Sequence, residues 1–522
     1  MGEESTVAGE AAAMPPTYDE AKALTDGDQS VKIAASETKI EMGKEKEKEE
    51  GFKGLSKEEL MQYANDPFWV RLRWVLFILF WVIWVAMLVA SVVIIVYAPK
   101  CPSPAPKQWW QKGPIYKASV EQFPDTQADG ASDLSDVEQQ LDYLVEAGVG
   151  SLYLTDLVSP GDLQGVRQEV GVMADLESLV VAVQERGLRL VIGFEPSSTS
   201  PQHYWWEEKQ SGNPPFDAFY TEGTQLDLAN TKVVDELARA LEFWLEKGVD
   251  GFVVQGKTAV PAAALNRFRK VLEAAELESG VEKVMVVEED WGVEDGEVSP
   301  VGAGHPVHLQ LPGDLLQGAG QLTATDIEAK LDARLPEGCT EEVEQCTKPA
   351  ELWPAFTFDT RAHGPAMVDA LAMLKMLLPG TVVTAAGEEQ GLPAPDFSAE
   401  APEHLALYGL LTDKLRHQDA ILLGKLTQAD TFVDGAVFGL VRVKKGSPGY
   451  LLLINTGLEA ITVDVSERKS VPDSIRVLEK SGVMAVSPAT AEGEVEVKRF
   501  PSSGVPLTPG QAKIFNFVPK FD

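Results

Sequence analysis

The sequence predicts an α/β protein with a single transmembrane helix, a (β/α)8 barrel and a small antiparallel β-sandwich, in that order. Three observations carry this. Val75–Tyr97 is an apolar run without a charge, and a helix of that length reaches about 34 Å, enough for a hydrocarbon layer of about 30 Å. After it, short β-branched segments alternate with segments of helical period, the pattern of parallel strands joined by helices. From about residue 425 the helical segments stop, and strands separated by Gly and Pro follow one another.

The elements follow in order. Residues 1–73 form a cytosolic tail, largely disordered, rich in Gly, Ala, Glu and Lys and without apolar periodicity. Its Pro15-Pro16-Thr17-Tyr18 fits the Pro-Pro-x-Tyr pattern that WW domains bind through an aromatic groove. Residues 74–97 are the transmembrane helix. Arg71, Arg73, Lys53 and Lys57 on its N-terminal side outnumber Lys100 and Lys107 beyond it, so the N-terminus is expected in the cytosol and the remainder outside, as a single-pass type II protein. A juxtamembrane linker, 98–113, carries Cys101. The barrel is expected over 114–424, with strands at Ile115–Val120, Gly150–Leu154, Arg189–Phe194, Gly251–Val254, Val284–Val287, Val307–Leu311, Pro354–Phe358 and Thr381–Thr384. Helices are expected at Val137–Ala147, closed by Gly148, and Val233–Lys247, closed by Gly248. The sandwich is expected over 425–522, with strands at Gly435–Val443, Tyr450–Asn455, Ile461–Val465, Ser474–Leu478 and Ala512–Phe517.

Composition excludes several functions. With 522 residues, 44% of them hydrophobic, the chain has ample material for a large core. Asp and Glu total 80 against 45 Lys and Arg, a net charge of -35 that repels phosphate backbones and argues against nucleic-acid binding. Three cysteines and six histidines show no zinc-type spacing, so no metal or other cofactor is expected. One transmembrane helix without a charged midplane residue supplies no transport route of its own. No Asn-x-Ser/Thr acceptor occurs, so no N-linked sugar is expected.

Several blocks resemble the α-amylase family of glycoside hydrolases over about 115–400. Phe243-Trp244-Leu245-Glu246-Lys247-Gly248-Val249-Asp250-Gly251-Phe252 is similar to the helix and strand before that family's nucleophile, and Asp227-Leu228-Ala229-Asn230 to its upstream Asp-Leu-Asn. Leu378-Pro379-Gly380-Thr381 and Gly387-Glu388-Glu389-Gln390-Gly391-Leu392 continue the likeness. The resemblance implies a TIM barrel of α-amylase type, and it marks where the chemistry should be. Retaining glycosidases need a carboxylate nucleophile and a second carboxyl about 5–5.5 Å away. The matching nucleophile position is Gln255, an amide, and the supporting Arg of the family is Val253. The family's Asp and His of the third strand are Gly193 and Ser198. Glu289 matches the acid/base and Asp359 the stabilising carboxylate, whose preceding His is Phe358. The resemblance therefore implies a degenerate site and no glycosidase activity; a residual inverting hydrolase is the sharper alternative.

The interval from Pro201 to Asp227 is too short for the family's inserted domain. A membrane anchor joined to a barrel without that domain resembles the heavy subunits of heteromeric amino-acid transporters. That resemblance implies a non-catalytic ancillary subunit at the plasma membrane, needed for the stability and trafficking of a polytopic light subunit; a cell-surface adhesion module working with integrins is the competing class. Cys339 and Cys346 are close enough in sequence to pair if their loop turns back, which leaves one thiol over. Cys101 then stands free, bridges a second copy, or bonds another membrane protein. The resemblance implies the last, a disulfide to the light subunit.

Overall fold

The computed structural model describes residues 58, 61, 66–97, 107–128, 130–256, 260–288, 307–311, 313–316, 322–333, 355–365, 367–397, 403–468, 470–480 and 499–520, with backbone alone at 403, 425, 427, 428, 479 and 480. It divides into two units, 1–103 and 104–522.

In the first unit one helix, Pro67–Tyr97, is long and apolar enough to cross a membrane. It starts seven residues before the expected span. Asp66 caps it, its Oδ1 accepting from the Phe68 amide at 3.1 Å, and Pro67 occupies the first turn, where a missing N–H costs nothing. Arg71 and Arg73 therefore sit on the helix itself, in its N-terminal turns. Trp74, Phe77, Trp81 and Trp84 recur at three- and four-residue spacing and meet edge to face, with centroids 5.4–6.4 Å apart.

In the second unit eight parallel strands form the expected barrel. They are β1 Ile115–Ala118, β2 Ser151–Leu154, β3 Arg189–Phe194, β4 Gly251–Val254, β5 Val284–Glu288, β6 Leu309–Leu311, β7 Ala355–Phe356 and β8 Thr381–Ala385. Their hydrogen-bonded order is β6-β5-β4-β3-β2-β1-β8-β7, a ring closed everywhere among the described residues except the seam between β6 and β7. The period of two explains why these strands read as continuous apolar runs. One set of side chains, Ile115, Tyr153, Val191, Val253, Val286 and Val383 among them, fills the lumen with Trp110. The alternate set, including Tyr116, Leu152, Ile192, Phe252 and Met285, packs outward against the helices. Gly251 is required by this packing: a Cβ there would lie 2.5 Å from the Val284 carbonyl oxygen.

The helices follow the expected start and stop chemistry with one correction. Asp133 and Asp136 form a reciprocal capping box, but the expected helix Val137–Ala147 is two, Leu134–Gln139 and Leu141–Glu146, broken at Gln140. Thr231–Glu246 is capped by Asn230 and closed before Gly248, whose φ of +93° suits glycine. Trp244 on that helix is fully buried, and its Nε1 donates to the Leu163 carbonyl at 2.9 Å.

The C-terminal strands are β9 Lys425–Phe432, β10 Val437–Val443, β11 Gly449–Asn455, β12 Ile461–Val463, β13 Ser474–Lys480, β14 Arg499–Pro501, β15 Val505–Leu507 and β16 Ala512–Phe517. A six-stranded sheet in the order β9-β10-β11-β16-β13-β14 faces the pair β12-β15. Val441, Leu451, Leu453 and Phe515 on one face of the larger sheet close a small core with Val463 and Val505. Phe438, Leu440, Leu452 and Ile514 on the other face join the barrel's helical core. Buried Arg442 bonds across that seam, and buried Arg416 lies on its barrel side. Arg416 donates to the carbonyls of Met376 at 3.1 Å and Leu378 at 2.8 Å, and Arg442 to those of Leu377 at 2.8 Å, Ile421 at 2.5 Å and Gly424 at 3.0 Å. The bonds to Met376, Leu377 and Leu378 serve the C-terminal end of the helix Val368–Leu377, whose last carbonyls have no partner within the helix. Burial in this setting pushes the Arg416 guanidinium down to about 10.

Candidate functional site

The mouth of the barrel lies at the C-terminal ends of the strands, where enzymes of this fold place their chemistry. Gln255 follows β4 directly, and its main-chain N–H donates to the Phe194 carbonyl at 2.8 Å. Its side-chain Nε2 donates to the hydroxyl of Tyr153, which rises from β2 and is fully buried. The amide expected at the nucleophile position is therefore already engaged. Burial pushes the Tyr153 phenol up, and the carboxylates Glu288 and Asp156 push it further, so it stays protonated as a hydrogen-bonding group.

The neighbouring positions singled out in the sequence offer no free charge. Val253 is buried in the lumen and offers no charge to the mouth. A Cβ built on Gly193 would lie 2.4 Å from the Thr155 carbonyl oxygen, so this backbone leaves no room for an acidic side chain there. Ser198 Oγ donates to Glu195 Oε1 at 2.8 Å, and Ser197 Oγ to the same oxygen at 3.2 Å. Phe358 is buried beneath the Lys375 ammonium, which sits 4.8 Å from its ring centroid.

Asp359 follows β7 and is already occupied. Arg361 grips both of its oxygens, Nε at 2.7 Å and Nη2 at 3.0 Å, and the Arg361 amide donates at 2.9 Å. Partial burial alone would raise this carboxyl; the Arg361 hydrogen bonds and charge outweigh it and hold it below its ordinary value. It remains an anion and is no proton donor at neutral pH. Glu289, Cys101, Cys339, Cys346, Pro15, Pro16 and Tyr18 lie outside the described residues.

Sequence reasoning passed over several mouth residues. Lys117 of β1 reaches Glu288 of β5 at 3.4 Å. Glu388, quoted only as part of a block, forms a buried ion pair with Lys375 at 2.7 Å and accepts the amides of Thr360 and Ala385. Its neighbour Glu389 accepts the hydroxyls of Tyr116 and Tyr143 at 2.9 and 3.0 Å, and burial pushes it above the usual carboxylate range. Glu195, Asp156 and Arg167 share a cavity of ≈ 150 Å³ with Gln255.

Residues 37–116 match the family described as Solute carrier family 3 member 2 N-terminus, and residues 115–225 match the alpha-amylase catalytic domain. The amino acid transporter heavy chain SLC3A2 of Oryctolagus cuniculus is 30% identical over 373 residues, covering 67% of this chain and 62% of the relative. This chain is a relative of the amino acid transporter heavy chains. The heavy chain SLC3A1 of Mus musculus is 29% identical over 255 residues, 38% of this chain and 36% of that one. The chain spans less than two thirds of the length of the curated relatives it matches. Among solved structures, isomaltulose synthase from Erwinia rhapontici NX5 superposes with a TM-score of 0.60 at 18% identity, covering 80% of this chain and all of that one. That likeness establishes the fold: an α-amylase-type barrel with extra antiparallel sheets.

Proposed function

We propose that this chain is the ancillary heavy subunit of a heteromeric amino-acid transporter, without glycosidase activity of its own. The observation that carries the reading is an amide, Gln255, committed to Tyr153 at the nucleophile position, in a chain whose helix and juxtamembrane segment match a heavy-chain N-terminus. An amide cannot form the glycosyl ester of a retaining enzyme, and Val253, Gly193 and Phe358 supply none of the remaining grip on a sugar. The helix Pro67–Tyr97 anchors the chain as a single-pass type II protein of the plasma membrane, with 1–73 cytosolic and 98–113 as linker. The barrel, 114–424, and the sandwich, 425–522, form the ectodomain.

The partner is a polytopic light subunit that carries the transport route, which the heavy subunit stabilises and escorts to the surface. Cys101, four residues beyond Tyr97, sits at the height where a multi-span protein can present its own cysteine on the oxidising side. Cys339 and Cys346 pair with each other. Pro15, Pro16 and Tyr18 recruit a WW-domain partner in the cytosol. Purification of the full chain from native membranes in mild detergent tests the reading: a polytopic protein at one-to-one stoichiometry, released on non-reducing gels by Cys101→Ser, is expected. Absence of any polytopic mate refutes it.

A further inference from the structure

The cavity beside Gln255 is walled by opposite charges from different elements. Glu195 follows β3, and its Oε1 accepts from Ser197 and Ser198; among the described residues no Lys or Arg lies within ion-pair reach of it. Arg167 stands at the end of the short hairpin Val158–Val166, held by Asp156 at 3.5 Å. A guanidinium so held keeps further donors for a second acceptor. The cavity, ≈ 150 Å³, opens to solvent on the side of Glu195 and Asp156, both exposed. That volume suits a ligand the size of alanine or serine and lies below the roughly 300–1,000 Å³ usual for larger ligands.

We propose that this cavity binds a small α-amino acid zwitterion, its ammonium on Glu195 and its carboxylate on Arg167. Glu195 presents its second oxygen to an ammonium, while the two serine hydroxyls fix the carboxylate's plane. Arg167 takes the ligand carboxylate without releasing Asp156, since its fork serves two acceptors. The inference stands apart from the ancillary-subunit reading, which co-purification tests, because it concerns the described pocket alone.

The experiment is titration of the full chain in detergent, by calorimetry or saturation-transfer NMR. The probes are L-alanine, L-serine, L-leucine, propylamine, propionate, glycerol and glucose. L-alanine and L-serine are expected to bind in the millimolar range, at least tenfold more tightly than propylamine or propionate, and L-leucine and glucose not to compete. Glu195→Gln keeps an acceptor for both serines and is expected to weaken L-alanine roughly tenfold at unchanged melting temperature, the loss of about one charge-assisted bond. Arg167→Gln is expected to do the same. Binding of glucose or glycerol in place of alanine overturns the proposal, as does alanine binding indifferent to Glu195→Gln, or no binding by any probe. The amine-only and carboxylate-only probes decide the matter on the wild-type chain if either variant fails to fold.

Discussion

Arg442 makes the attachment of the C-terminal sheet to the barrel measurable. It is fully buried on β10, and its guanidinium hydrogen-bonds to the carbonyls of Leu377, Ile421 and Gly424. Arg442→Met keeps the length and most of the apolar stem but strips all three carbonyls of this donor. At about 1 kcal/mol for each lost bond the direct cost is about 3 kcal/mol, partly offset by no longer burying a charge. Leu377 lies at the helix C-terminus, where a cation also complements the dipole, which restores part of that offset. A net loss of about 2–4 kcal/mol is the expected result. Unfolding a unit that spans residues 104–522 carries an entropy of about 0.9 kcal/mol/K, so the melting temperature should fall by about 3 °C. Intrinsic tryptophan fluorescence during thermal unfolding of the full chain reads this directly. Arg442→Lys, a single point donor in place of a planar fork, should recover less than half. A midpoint unchanged within error in Arg442→Met, or full recovery by lysine, would show that apolar packing alone holds the seam.

Gln255→Asp is expected to yield no hydrolysis of α-glucosides, because Val253, Gly193 and Phe358 still withhold the surrounding groups; turnover by that single variant would contradict the reading of the mouth. His203 caps the helix Tyr204–Gln210 through Nδ1, and burial pushes its imidazole down to about 4, with Asp162 opposing. Its folded value lies below its unfolded one, so the stability it contributes is present above about pH 6.5 and is lost as pH falls toward about 4. With solvent screening allowed for, that is of order 1–2 kcal/mol, and His203→Gln should flatten the acid limb of stability against pH by that amount. Val433 and Asp434 hold φ of +51° and +54° in the β9–β10 turn, a conformation that a β-branched residue resists. Val433→Asn should therefore raise stability by about 1 kcal/mol in denaturant titration, and a loss would mean that the exposed Val433 side chain has packing worth more than its strain.

Most barrel strands were legible because burial on both faces writes a short apolar run into the sequence, β-branched in strands such as Arg189–Phe194, Gly251–Val254 and Val284–Glu288. The C-terminal sheet was legible only in part. Strand β9 carries Gln428, Asp430 and Thr431 and lacks that run, while β14 and β15 have three residues each, too few for a period to show. Apolar composition marked the membrane helix at 74, whereas its backbone begins at the cap, Asp66, since hydrogen bonding rather than lipid decides where a helix starts. At the mouth, Gln255 was legible from its place in a block. Its partner Tyr153 was not, because 102 residues separate them and only the closure of the barrel joins them. Arg442 shows the same limit: alternation within Val437–Val443 places it on the barrel-facing side, but nothing in the sequence reveals the carbonyls waiting there.

The positions expected to be catalytic hold residues suited to a stable interior. A working glycosidase mouth keeps carboxylates close together, at an electrostatic cost that the remainder of the fold must offset. Here the amide of Gln255 satisfies a buried phenol, Val253 fills the lumen, Phe358 lies under a lysine already neutralised by Glu388, and Gly193 lets the Thr155 carbonyl approach. These exchanges remove repulsion without disturbing the eight-stranded frame. On the proposed ancillary-subunit reading, a barrel packed in this way serves as a scaffold that presents surface to another protein. Restoring the lost residues one at a time should lower the melting temperature before any activity returns.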